Sequence, residues 1–248
     1  MNSTKASLES QFANEPCNIE DTEEMFVFRE SDDYQSKVSL GNALASQYRF
    51  RDAGDVYIEA SHIRSDDPML YIRLGGVYLT LWNFDEAIKA YNCSLELGIP
   101  YKSVAYPLGI WHYFQGDYIA AAEQFAKCLP CDDEMKIAVI YWHTICCLRA
   151  NADALLLTEY HTDMEVGHHT AYQKAVSIFA GELNIAEVFE EMENEKDELN
   201  YVITTYGLFR YLLSIGKTDD GNKLMEKLLT HSEIWACISY LAALRDCD

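Results

Sequence analysis

Apolar and small side chains return every three to four positions along FDEAIKAYNCSLELG, residues 84–98. Ala87, Tyr91, Ser94 and Leu95 share one stripe, with charged positions between them. That period predicts an amphipathic helix. Moved forward by 34 residues, the pattern recurs: Leu74-Gly75 becomes Leu108-Gly109, Phe84 becomes Tyr118, Ala87 becomes Ala121, Tyr91 becomes Phe125 and Ser94 becomes Cys128. Moved back by 34 it recurs as Leu40-Gly41, Phe50, Ala53, Tyr57 and Ala60. Three copies in one phase predict three units of two antiparallel helices. Gly41, Gly75 and Gly109 fall where the helices approach most closely, and Ala53, Ala87 and Ala121 serve the same end on the second helix. Tyr57, Tyr91 and Phe125 are expected to fill the gap to the next unit. Trp82-Asn83 and Gly116-Asp117 mark the turns. A single unit cannot bury its apolar face, so stacking makes the core.

The middle unit reads Tyr71-x2-Leu74-Gly75-x2-Tyr78, then Ala87-x3-Tyr91. This resembles the tetratricopeptide repeat, a 34-residue helix–turn–helix. The resemblance covers residues 34–135 as units 34–67, 68–101 and 102–135, with Leu44 and His112 departing at the Tyr78 place. Beyond 135 the phase degrades. Lys136–Arg149 reads as a helix broken by Asn151, with Asp153–Tyr160 as its partner. Thr170–Ala180 and Ile185–Glu193 read as another pair, split by Gly181 and capped near Asn184. Ile203–Leu229 looks like a repeat again: Leu208 and Gly216 hold their places, while Phe209 and Gly221 depart at the small-residue places. Ser232–Arg245 fits a terminal capping helix with Trp235 and Tyr240 buried. The expected fold is all-α, a right-handed superhelix of helix pairs. Its segments are an acidic arm (1–33), three repeats (34–135), a degenerate middle (136–200) and a final repeat with cap (201–248).

The order of good repeats, degenerate middle, good repeat and cap also resembles NlpI-like scaffolds, bacterial lipoproteins that bring hydrolases to a protease. Here Asn14-Glu15-Pro16 before Cys17 forms no lipobox and the N-terminus has no signal-like apolar run, so the envelope location does not carry over. The arm is acidic and expected to be flexible. Its apolar knot, Met25–Phe28, reads as a staple on the first repeat or as a self-ligand.

Charge narrows the partners. Acidic residues outnumber basic ones 40 to 19, for a net charge of −21. Phosphate neutralisation needs Lys and Arg, so nucleic acid and anionic membrane are excluded, while a basic partner gains in association rate. The most apolar run, Ile137–Leu148, is too short to span a membrane. The expected location is cytoplasmic, where the 8 cysteines are thiols.

In the tetratricopeptide family the first helix of each unit lines a concave, protein-binding face. Carried over by the repeat phase, the candidate contacts are Val38 and Asn42 in the first unit, Ile72, Arg73 and Leu79 in the second, and Tyr106, Ile110, Tyr113 and Phe114 in the third. One subclass grips a C-terminal carboxylate with a clamp. At those places this chain has Val38, Asn42, Arg73, Ser103 and Pro107, of which Asn42 alone matches. The groove is instead apolar and aromatic and suits an extended or helical apolar segment. The aromatic stripe reads equally as groove or as core.

Other chemistry is weaker. CLPC (Cys128–Cys131) has metal-knuckle or redox spacing, but Cys128 falls on a core position and no second pair follows. Cys146 and Cys147 point about 100° apart on a helix and read as core. A metal at His168-His169 would need converging carboxylates, so the loop reads as solvated. His161 is placed at a helix end. The acidic run Glu182–Glu198 reads as a solvated face, with no pocket or nucleophile for catalysis. A non-enzymatic adaptor without cofactor is therefore expected, holding a protein or peptide; self-association stays open. The alternatives are a chaperone for a secreted or membrane-bound client, similar to type III secretion chaperones, and a metal- or redox-responsive protein using the CLPC thiols.

Overall fold

The computed structural model describes residues 20–247. Among them are thirteen α-helices and no strand. The chain divides into two compact units, one ending at Pro107 and one beginning at Leu108. Among the described residues no helix is long and apolar enough to cross a membrane.

The first unit holds α1 (Glu23–Glu30), α2 (Tyr34–Ser46), α3 (Phe50–Ile63), α4 (Pro68–Thr80) and α5 (Phe84–Glu96). Helix α6 (Lys102–Gln115) runs across the division. Asp33 and Asp67 stand one repeat apart and cap α2 and α4, accepting from the backbone N–H groups of Ser36 and Met69. Each satisfies a donor that a helix start leaves open. Helices α2 and α3 pack as a pair, as do α4 and α5.

The glycines explain the pairing. A Cβ on Gly41 would lie 2.3 Å from Cε1 of Tyr57, and one on Gly75 would lie 2.3 Å from Cε1 of Tyr91. Each ring is seated on the backbone glycine of its own pair, and Tyr57 also joins the cluster that holds Leu70, Leu74 and Val77 of the next. The turns repeat as well. Tyr48 and Trp82 take left-handed φ values of 62° and 58°. The N–H of Arg49 then reaches Leu44 O at 3.0 Å and that of Asn83 reaches Tyr78 O at 2.8 Å. These are Schellman closures made without glycine.

From Glu20 onward the acidic arm is structured; residues 1–19 lie outside the described region. Thr22 caps α1 by accepting from Met25 N. Met25 is buried in the first unit's core beside Val38, Leu40 and Leu44, with Phe28 packed on the same cluster. Phe26 and Val27 stay exposed. Half of the apolar knot is thus a staple. Asp21 ties it down, 2.5 Å from Arg49 and 2.7 Å from Arg29.

The second unit holds α7 (Tyr118–Ala126), α8 (Asp133–Ala150), α9 (Thr170–Phe179), α10 (Ile185–Glu193), α11 (Glu198–Ser214), α12 (Thr218–Leu228) and α13 (Ile238–Asp246). Helix α8 is its axle. Residues 137–147 are buried on every face, and α7, α9 and α11 all pack on it. A helix apolar all round has to lie inside. Asn151 ends it in the left-handed region at φ 52°. Gly109 repeats the seat seen twice before, 2.8 Å from Cε1 of Phe125.

Two expectations change here. Asp153–Tyr160 is not a partner helix; only a 3-10 turn forms, at Leu155–Glu159. The last repeat departs from the pattern in a compensated way: Phe209 occupies the small place on α11, and the Cβ position of Gly221 on α12 lies 3.4 Å from its ring. The bulk has changed sides. The C-terminal cap is shorter than expected, a 3-10 turn at Ser232–Ile234 followed by α13, with Trp235 and Tyr240 buried.

Candidate functional site

The nine candidate contacts separate by burial. Val38, Leu79, Ile110, Tyr113 and Phe114 are interior, each at 4% exposure or less. Tyr113 and Phe114 of the aromatic stripe on α6 are therefore core and not open groove. The reason lies in its neighbours. Tyr113 stands 5.2 Å from the ring of Trp142 and 5.4 Å from that of Tyr118, and its hydroxyl bonds that of Tyr206. Asn42 is exposed, and Ile72, Arg73 and Tyr106 are half-buried.

The open remainder in the first unit centres on the Tyr57 hydroxyl. It donates to Asn42 Oδ1 at 2.7 Å. Burial pushes the phenol up to about 12, and the positive charge of Arg73 opposes that shift. Asn42 on α2 and Arg73 on α4 thus face one buried hydroxyl on α3. The bond uses the carbonyl of Asn42 and leaves its amide N–H groups as donors. Arg73 makes no ion pair among the described residues, although acids outnumber bases twofold. Gly76, one helical turn from Arg73, has nothing within 4 Å of its Cβ position, so this part of α4 faces open space. The arrangement offers three kinds of contact: amide donors, a guanidinium and the apolar side chain of Ile72.

A second polar centre belongs to the interior. In the second unit the side chain of Asp246, 3% exposed, is bound by Arg149, by Arg210 at 3.4 Å and by the Tyr206 hydroxyl at 2.8 Å. Arg149 also donates to Tyr113 Oη at 2.9 Å and lies over the ring of Tyr118 at 4.2 Å. Nearby Asp246 and the tyrosine hydroxyls raise the Arg149 guanidinium further against its burial. Two cations share one carboxylate, and aromatic faces take up the excess charge. This network ties α8, α11 and α13 together. Nothing local in the sequence announces it, because Arg149 and Asp246 are 97 residues apart.

Cys128, Cys146 and Cys147 are core, while Cys131 is half-buried. Cys128 is 3% exposed and its Sγ donates to Gln124 O at 3.7 Å. His143 contacts Cys147 at 3.8 Å rather than CLPC. Burial raises Cys147 to about 11 and Cys146 well above the ordinary thiol range. A protonated thiol is a poor nucleophile. The carboxylates of Glu187, Glu190 and Glu193 are exposed on α10, and Glu191 pairs with Lys174 at 3.0 Å. His161 directly follows Tyr160, the C-cap of the 3-10 turn, and pairs with Asp163 at 2.7 Å. A shallow groove of about 430 Å³ lies where Phe189 and Leu224 meet Lys223 and Lys227.

Compared with protein-family models and with curated proteins, the chain matches none.

Proposed function

We propose that this chain is a non-enzymatic adaptor of the tetratricopeptide-repeat kind that holds a segment of a partner protein on the open face of its first unit. Half-buried Arg73, without a carboxylate among the described residues, carries the reading. In a chain of net charge −21, such a cation is held in reserve for an acceptor supplied from outside. Together with Asn42 it would bind backbone carbonyls or a carboxylate of an extended segment, with Ile72 supplying apolar contact. The surplus acidic surface would speed the approach of a partner with basic flanks. We place it in the cytoplasm, where the described cysteines, none of them in a disulfide, would stay reduced.

The test is crosslinked co-purification from the native cell, with Arg73→Glu and Asn42→Ala as paired controls checked for retained helix. Loss of one partner in both folded variants supports the reading. A partner kept by both moves the site off this face.

A further inference from the structure

The second unit brings together three side chains that the sequence holds apart. Glu134 lies in the first turn of α8, and His168 and His169 lie in the loop before α9. Each offers a ligand atom, and these atoms lie within 4.8 Å of one another. Two features show that the cluster is built. His169 Nδ1 lies 2.6 Å from the backbone carbonyl of Glu134. A carbonyl oxygen only accepts, so Nδ1 carries the proton and the lone pair is on Nε2. Anchoring one ring nitrogen to a carbonyl is how metal-binding histidines are commonly oriented. Gly167 then makes room for the carboxylate: its φ is +54°, and a Cβ there would lie 2.9 Å from Glu134 Oε1. His168 Nδ1 meets that same Oε1 at 2.8 Å.

We infer that Glu134, His168 and His169 form a binding site for a divalent transition-metal ion of the zinc class. Two imidazoles and one carboxylate are the donors such an ion takes, at about 2.0–2.2 Å. Binding needs the wider ligand-atom separations to close by on the order of 1 Å, and the His168–Glu134 contact to open slightly, to reach tetrahedral spacing. The side chain of His168, 84% exposed, is free to make that movement. A fourth position faces solvent and takes water. Asp133, next to Glu134, accepts from the backbone N–H of Glu165 at 3.3 Å and pairs with Lys136 at 3.0 Å, which holds the loop against the start of α8. Bound metal would pin the loop before α9 to the start of α8. The site is independent of the partner-binding face proposed for the first unit.

The experiment is calorimetric titration of the full chain, treated with chelator and kept reduced, with Zn²⁺ alone. It is run on wild type, His169→Ala and Glu134→Gln, each checked by circular dichroism. One equivalent is expected to bind to wild type. Affinity should fall in both variants by more than the ~10–100-fold typical of an outer-shell partner. The cobalt(II) form should lack a thiolate charge-transfer band. Absence of stoichiometric binding, equal affinity in the variants, or a thiolate band pointing to the cysteines would each overturn the assignment.

Discussion

Two adjacent glycines on α4 carry opposite consequences. Gly75 is covered by the Tyr91 ring, whereas the Cβ position of Gly76 points into open space. Tyr91 is fully buried and has nowhere to retreat. Gly75→Ala should therefore destabilise the chain by about 1–3 kcal/mol through overpacking. Gly76→Ala should stabilise it by roughly 0.5–1 kcal/mol, because alanine gives up less backbone freedom in a helix. Urea unfolding midpoints of the two variants, moving to opposite sides of wild type, check both signs. The repeat pattern marks Gly75 directly, since its counterparts recur at the same phase. The openness of Gly76 depends on what fails to cover it, and a sequence does not state that.

At the scale of elements, the second unit depends on a tie between three helices. Asp246 at the end of α13 receives Arg149 of α8 and Arg210 of α11. Replacing it with alanine leaves two largely buried guanidinium groups without their carboxylate. The Asp246→Ala variant should lose roughly 3 kcal/mol, the lower end for breaking a buried pair, since both arginines keep some contact with water. Thermal melts at matched concentration would show the loss. Helix positions themselves were largely readable: Thr170–Phe179, Ile185–Glu193 and the cap at Asn184 fall where periodicity and capping residues put them. The 155–159 segment escaped, because its run of three leucines, Leu155–Leu157, suits a helix but forms only a 3-10 turn with none of its residues buried. The exchange of bulk between Phe209 and Gly221 also escaped. Each looks like a defect alone, and only contact reveals that they fit each other.

For the molecule as a whole, the pH dependence of stability should carry a signature from α8. Burial lowers the His143 imidazole to about 4 from an ordinary 6.5. The unfolded chain takes up a proton below pH 6.5 that the folded chain refuses until about pH 4. The stability from this group is therefore complete above 6.5 and falls as the pH drops through that window. The loss by pH 4.5 amounts to roughly 2–3 kcal/mol. Urea midpoints measured from pH 7 to 4.5 should fall less steeply in His143→Gln, which cannot titrate. What the sequence conveyed least well was the candidate site. Repeat phase assigns a residue to a helix face but not the neighbour that covers it. Tyr113 was legible as a concave-face residue and is sealed by Tyr206, 93 positions away. Asn42 stays exposed and Arg73 half-buried, gathered round the hydroxyl of buried Tyr57.

Asp21 has a consequence for how α1 is held. Burial favours its neutral form, but hydrogen bonds from Arg49 and Arg29 outweigh that and hold the carboxyl below its usual value. Helix α1 is short, and Met25 is its one buried residue. Its hold on the unit thus rests on Met25, on the half-buried ring of Phe28 and on the ion pairs of Asp21. Proteins open first where few buried contacts resist, so this helix is the natural first step of unfolding. Once it lifts, Val38, Leu40 and Leu44 become an apolar rim of the kind that one copy of a chain offers to another. Asp21→Asn should therefore raise self-association on mild heating, read by light scattering against wild type.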